Sequence, residues 1–359
     1  MTKIEQAAAY QRKNYWTLDI AKFICAILII SAHFASEIAT FPTLIDYVFS
    51  VYIIAVPFFF CCSGFLFFKK LNALEEAAEK RKYFWSYQKR IWIMYGVWSL
   101  IYMTFVVATW IRKGICTWAQ FLKWLHMAVV SQTYATIWFL PALAVGIALT
   151  YLLVTKVKNK WGCIAICIGL YVIGSLGYSY NFICKDTFVG KIYEWYLIAF
   201  KTTRNGLFNA VPFLYMGYLF ATRKDTNEYR QQVWKDVVLM AACFALVVAE
   251  SFFLKLNFDV TGMDFIFALL PFTYFLMKTL LGIDLKERGV YVYCRKLSLL
   301  MFVSQRLFLS VFSVVFPSLF GVLYKNSYVG LFIVLVLTIG FSLVVVLLSK
   351  KVKSLKWIM

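Results

Sequence analysis

Between Leu18 and Glu37 the chain reads LDIAKFICAILIISAHFASE, an apolar run interrupted by Asp19, Lys22, His33 and Glu37. Twenty helical residues at 1.5 Å each span about 30 Å, the thickness of a bilayer core. Each residue turns about 100°, so the eleven steps from Lys22 to His33 close about three turns with roughly 20° left over. Asp19 falls about 60° to one side of Lys22, and Glu37 about 40° past His33. The four therefore share one stripe, while Ile20, Phe23, Ala26, Ile27, Ile30 and Phe34 cover most of the remaining surface. An ionised residue at the centre of a membrane helix costs roughly 2.5–3.5 kcal/mol on insertion scales. Such residues face a bundle interior or a wet cavity and point to function. Asp19 and Lys22 lie close enough to one end to snorkel to the interface. His33 sits about 22 Å along the helix, too deep for that.

Comparable apolar runs recur at about 47–68, 91–111, 137–155, 161–179, 206–222, 233–254, 262–281, 297–316 and 328–349. Each is close to the length a span requires. The chain is 62% hydrophobic and 15% charged, with a mean hydropathy of +0.75, which excludes an ordinary soluble domain. The sequence predicts an all-α polytopic membrane protein of about ten transmembrane helices. It forms a single domain over 1–359, with no separate soluble domain. The acidic Asp19 and the polar His33 and Glu37 spoil the apolar core of a cleaved signal, so the first run is read as a retained helix.

The net charge of +20 raises the question of nucleic acid. Topology accounts for it instead. Lysine and arginine concentrate in the N-terminal tail, the even-numbered connections and the C-terminal tail, which places both termini in the cytoplasm. The segment 69–90, KKLNALEEAAEKRKYFWSYQKR, reads as an amphipathic helix at the cytoplasmic surface. The nine cysteines show no metal-type pairing, and no metal is expected. Cys116 and Cys184 both fall in outer connections, where an oxidising environment allows a disulfide. His126 reads as a surface residue. The tryptophans and tyrosines read mostly as an interfacial belt.

Several of these segments resemble the acyltransferase-3 family of membrane O-acyltransferases. LDIAKFICAILIISAHF resembles its opening pattern of a basic residue, ten residues and a histidine, with Lys22 where the family has arginine. VPFFFCCSGFLFF, with Ser63 and Gly64, resembles its second-helix pattern. QKRIWIMYGVWSLIY resembles the basic entry to the third helix: Arg90 matches one of its two arginines and Tyr87 replaces the other. IWFLPAL with Trp138, TRNGLFNAVPFLYMGYLF with Arg204 and Asn205, and LSLLMFVSQRLF complete the series. In the last, Gln305 stands where histidine is common.

The resemblance implies transfer of an acyl group, commonly acetyl, from cytoplasmic acyl-CoA to a hydroxyl of a cell-surface or exported carbohydrate. The protein would sit in the cytoplasmic (inner) membrane among its lipids, with no nucleic-acid partner and with homo-oligomerisation left open. His33 is the one histidine within a span and is the expected general base; a histidine titrates near neutral pH and can pass a proton from hydroxyl to thiol. An acyl-histidine intermediate stays open beside it. Glu37, one turn on, is expected to orient the ring. Lys22, Arg90 and Lys89 are expected to hold the phosphates of coenzyme A. Arg204, Asn205, Glu250 and Asp19 are the candidate substrate-binding residues, Asn205 having helix capping as its alternative role. Gln305 and Arg306 are expected to line the same cavity. Ser63-Gly64 reads as close helix packing. The competing expectation is a transporter or flippase of a glycan or small solute without acyl chemistry, although the chain shows no internal repeat.

Overall fold

The computed structural model describes residues 14–37, 50–134, 136–223, 227–260, 262–325 and 327–359. Among these there are helices and turns and no strand. The helices are α1 (Trp16–Glu37), α2 (Ala55–Asn72), α3 (Ala77–Arg112), α4 (Trp118–Val130), α5 (Phe139–Lys156), α6 (Lys160–Leu176), α7 (Asn181–Cys184) and α8 (Phe188–Phe200). They continue with α9 (Val211–Ala221), α10 (Asn227–Gln231), α11 (Val233–Asn257), α12 (Leu269–Gly282), α13 (Gly289–Ser304), α14 (Leu307–Val315), α15 (Pro317–Lys325) and α16 (Ser327–Leu348). Each of the ten apolar runs overlaps a helix among the described residues, the eighth only from Leu269 onward. Seven of the helical stretches are long and apolar enough to cross a membrane, and three, at 160–176, 206–221 and 269–282, are shorter. Backbone hydrogen bonds stay inside each helix, which is what a hydrocarbon surrounding demands. The bundle's outer surface remains apolar: Leu100, Ile198 and Phe332 are each more than two-thirds exposed. Trp118, Trp161, Trp195 and Trp234 project outward as interfacial tryptophans do.

The bundle is organised around α2 and α9, which pack more intimately than any other pair. Their glycines explain why. A Cβ added at Gly64 would strike the carbonyl oxygen of Leu214, and one at Gly217 would strike that of Cys61. The two backbones therefore touch, as small residues permit in membrane helix pairs. Gly64 thus has the packing role expected of the Ser63-Gly64 step. Around this pair lie the buried rings of Phe58, Phe59, Phe60, Phe139 and Phe302, with Phe60 stacked on Phe139 at 4.5 Å.

The structure departs from the expected segmentation in two places. The amphipathic segment 69–90 does not form a helix of its own. Lys69 to Asn72 finish α2, and Ala77 onward is the first part of the 36-residue α3. No proline or glycine falls between Ala77 and Arg90, so nothing stops the helix from running on into the apolar stretch. The ninth run is broken: α13 ends at Ser304 and α14 begins at Leu307. Cys116 and Cys184, which outer connections would allow to pair, are both free thiols, Cys116 exposed and Cys184 buried.

Candidate active site

The polar stripe of α1 is divided between two environments. At its start, Asp19 is almost fully buried and accepts from Lys22 Nζ at 2.9 Å and from Arg295 Nη2 and Nε at 2.7 and 2.8 Å. Arg295 comes from α13, lies 5.2 Å over the Trp16 ring and also donates to Asn14 Oδ1 at 2.9 Å. This ion cluster pins α1 to α13, so Asp19 and Lys22 are held together but well away from His33. Asp19 and His33 are about 21 Å apart along the helix. Glu37 closes α1, and its side chain lies outside the described residues.

His33 is half-buried, and the charges of Arg306 and Arg204 both bear on it. Arg306 sits in the break between α13 and α14. A broken helix inside a membrane bundle is tolerated where other groups satisfy its backbone. Here the Tyr102 hydroxyl of α3 donates to the carbonyl of Val303 at 2.8 Å. Tyr102 in turn stacks face to face on Tyr134 at 4.4 Å, and the Tyr134 hydroxyl bonds Ser310 Oγ of α14 at 2.8 Å.

Arg204 approaches from the connection before α9. Its Nη1 donates to Asp264 Oδ2 at 3.2 Å, and its guanidinium lies 4.7 Å from the Trp138 ring and 5.7 Å from that of Tyr178. Asp264 also hydrogen-bonds the Tyr178 side chain, and its carbonyl accepts from Asn209 Nδ2 at 3.2 Å. Asn205 is a helix cap: its Oδ1 accepts from the backbone N–H of Leu207 and Phe208, while its Nδ2 donates to the Tyr196 hydroxyl at 2.7 Å. It opens a single turn of π-helix over Gly206–Ala210, a feature that recurs at functional sites. Glu250 is also a cap. Its carboxylate accepts from the backbone N–H of Phe267 and Ala268 at 2.6 and 2.8 Å, at the start of α12, and from the Tyr180 hydroxyl. Burial, with the Glu250 carboxylate beside it, pushes the Tyr180 phenol up and keeps it a donor.

Among the described residues, the buried atoms Arg204 Nε, Asn209 Oδ1 and Gln305 Oε1 have no hydrogen-bond partner. A cleft of about 350 Å³, which Tyr134 joins to the Tyr102 stack, is lined by Trp110, Trp124, Tyr134, Gln120 and Lys123. Asp264, Tyr102, Tyr178 and Asn209 were not singled out by the sequence reading. Asp264 carried one signal, an acid set in an otherwise apolar stretch.

Of the residues expected to hold coenzyme A, Lys22 is engaged with Asp19, while Lys89 and Arg90 lie exposed on α3. Arg90 Nη2 donates to the carbonyl of Met359 at 3.2 Å, and Trp98 Nε1 to that of Ile358 at 3.1 Å, so residues 353–359 fold back onto this helix. Tyr87, in place of a second arginine, packs at 4.8 Å on Phe67. His126 is exposed on α4. No cluster of metal-ligating side chains occurs among the described residues.

An amino-acid racemase from Enterococcus faecalis is 29% identical over 284 residues, covering 77% of this chain and 37% of the relative. A serine/alanine racemase from Enterococcus gallinarum is 23% identical over 300 residues, covering 81% and 40%. The chain thus spans well under half the length of these curated relatives. No solved structure matches it. The family profile described as an acyltransferase domain matches residues 15–347, from the α1 ion cluster to the end of α16. This multi-pass helical membrane protein therefore belongs to the acyltransferase-3 family.

Proposed function

We propose that the protein moves an acyl group, acetyl in the first instance, from acyl-CoA on the cytoplasmic side to a hydroxyl of a cell-surface or exported carbohydrate. It does so from ten spans in the cytoplasmic membrane, with both termini inside. The observation that carries this reading is the placement of one half-buried membrane histidine, His33, under the charges of Arg204 and Arg306. In the reaction, His33 takes the proton of the acceptor hydroxyl as its oxygen attacks the thioester carbonyl. The carbon–sulfur bond then breaks, and the proton passes from His33 to the leaving thiolate. The two guanidiniums stabilise the oxyanion that forms in between, as fixed donors do in a water-poor site. Lys89 and Arg90, exposed on α3, are available to the phosphates of coenzyme A, and Lys22 reaches them only by loosening from Asp19. The cleft lined by Trp110, Trp124 and Tyr134 suits a sugar ring, which stacks on aromatic faces while Gln120 and Lys123 supply hydrogen bonds.

A second reading is favoured by the names of the relatives, which are racemases of amino acids. In it, the bundle carries or binds a small solute such as an amino acid and performs no acyl chemistry. One experiment separates the two. Surface glycans from a deletion strain, the wild type and a His33→Ala strain are compared by mass spectrometry at matched membrane levels. An ester-sized mass present only in the wild type supports acyl transfer through His33. Unchanged esters in the His33→Ala strain remove the base. No ester in any strain, with serine or alanine uptake lost on deletion, moves the transport reading ahead.

A further inference from the structure

At the opposite, lysine-rich end of the bundle lies a cavity that the acyl-transfer reading does not use. It encloses about 460 Å³ where α5 turns into α6 and α9 ends. Lys158, Lys160 and Arg223 line it, and no acidic residue occurs among its described lining. Three tyrosines, Tyr215, Tyr218 and Tyr274, add hydroxyls to the wall. The wall is held in shape from within. The Tyr215 hydroxyl donates to the carbonyl of Lys160 at 3.3 Å, and Tyr215 stacks on Tyr218 at 5.7 Å. The Arg223 guanidinium lies 5.5 Å from the Tyr229 ring, and its carbonyl accepts from Lys69 at the last turn of α2. Val154, Val157, Ile164, Leu219 and Phe220 give the wall an apolar part.

Two features fit a phosphate-bearing ligand, and one separates the site from His33. Three cations around tyrosine hydroxyls suit a compact anion, and the lysines are exposed enough to meet it from outside. The apolar wall suits an acyl chain leaving the headgroup. Between this cavity and α1 stand α9 and α2, which meet backbone to backbone at Gly64 and Gly217.

We propose that this cavity is a phosphate-binding site distinct from the acyl-transfer site, taking the phosphate of an anionic lipid headgroup or of a soluble phosphate compound. The full chain is purified in detergent and in nanodiscs, as wild type and as the Lys158→Gln/Lys160→Gln/Arg223→Gln variant. Bound phosphatidylglycerol is measured by native mass spectrometry against phosphatidylcholine, and melting is followed with inorganic phosphate added to lipid-free detergent. The wild type should retain phosphatidylglycerol over phosphatidylcholine, with affinity falling at least tenfold in the triple variant, since each basic side chain near an anionic surface contributes. Protection by inorganic phosphate that the variant loses, without a lipid preference, would assign the site to a soluble phosphate. Equal behaviour of wild type and variant towards both probes would overturn the proposal. The Lys158→Arg/Lys160→Arg variant keeps the charge and must bind like the wild type. If the triple variant does not fold, the exposed Lys158→Glu reversal supplies the same comparison.

Discussion

Asp264 is the residue through which the proposed chemistry is most directly tested, because it holds Arg204 and has no proposed part in the reaction itself. The pair meets at 3.2 Å with side chains only 26% and 12% exposed. A hydrogen bond to a charged group in such a setting contributes about 1.5–3 kcal/mol. In Asp264→Asn the guanidinium keeps its place over Trp138 and loses its charged anchor. If that anchoring acts fully on the oxyanion, the loss converts at 1.36 kcal/mol per tenfold into a fall of about 10- to 150-fold in kcat/KM. The assay is incorporation of labelled acetyl from acetyl-CoA by membranes with matched protein levels, with kcat and KM for the donor separated. Asp264→Glu should recover part of the rate. Arg204→Lys should lose about tenfold despite its charge, since lysine offers neither the fork nor the planar face that rests on Trp138. Wild-type rates in both Asp264→Asn and Arg204→Lys would refute the proposed role of Arg204.

Four further outcomes follow from the geometry. Gly217→Ala should lower thermal stability by about 1–3 kcal/mol or prevent insertion, because its Cβ meets the Cys61 backbone, which cannot yield as a flexible side chain would; fluorescence-detected size exclusion after heating reads this. Glu250→Gln should cost about 0.5–2 kcal/mol of stability as a weakened cap of α12, with the acceptor KM unchanged; a large rise in that KM would make it a substrate ligand instead. Asp19→Asn should destabilise by about 3 kcal/mol by stranding Lys22 beside Arg295, whereas Asp19→Leu with Lys22→Met should recover much of that loss in the same melting assay. Cys116, exposed and free, should react with a membrane-impermeant maleimide added to intact cells while the buried Cys184 does not; labelling only after lysis would reverse the proposed orientation.

The apolar helices were legible in the sequence because the transfer free energy of a twenty-residue run is a sum over neighbours along the chain. His33 was legible as a polar group where the surroundings make it costly, and Arg204 through the family-like segment TRNG that carries it. Their partners were not. Asp264 is sixty residues from Arg204, and Arg306 is far along the chain from His33, so no periodicity links them. Asn205 and Glu250 looked alike as polar residues at the ends of runs. The fold decided for Asn205 in favour of capping, the alternative its position allowed, and revealed that Glu250 caps the start of α12. The break at Gln305–Arg306 depends on Tyr102 arriving from α3 to satisfy Val303, and the fate of Lys22 on Arg295 arriving from α13.

The sequence by itself thus determined a helical membrane protein, its family and the histidine at the centre of the proposed chemistry. The tertiary structure alone decided which charges neutralise one another, which face His33 and which line a separate cavity. The physical reason is that hydrophobicity accumulates along the chain, whereas a hydrogen bond or ion pair acts only across a few ångströms of space and is set by packing.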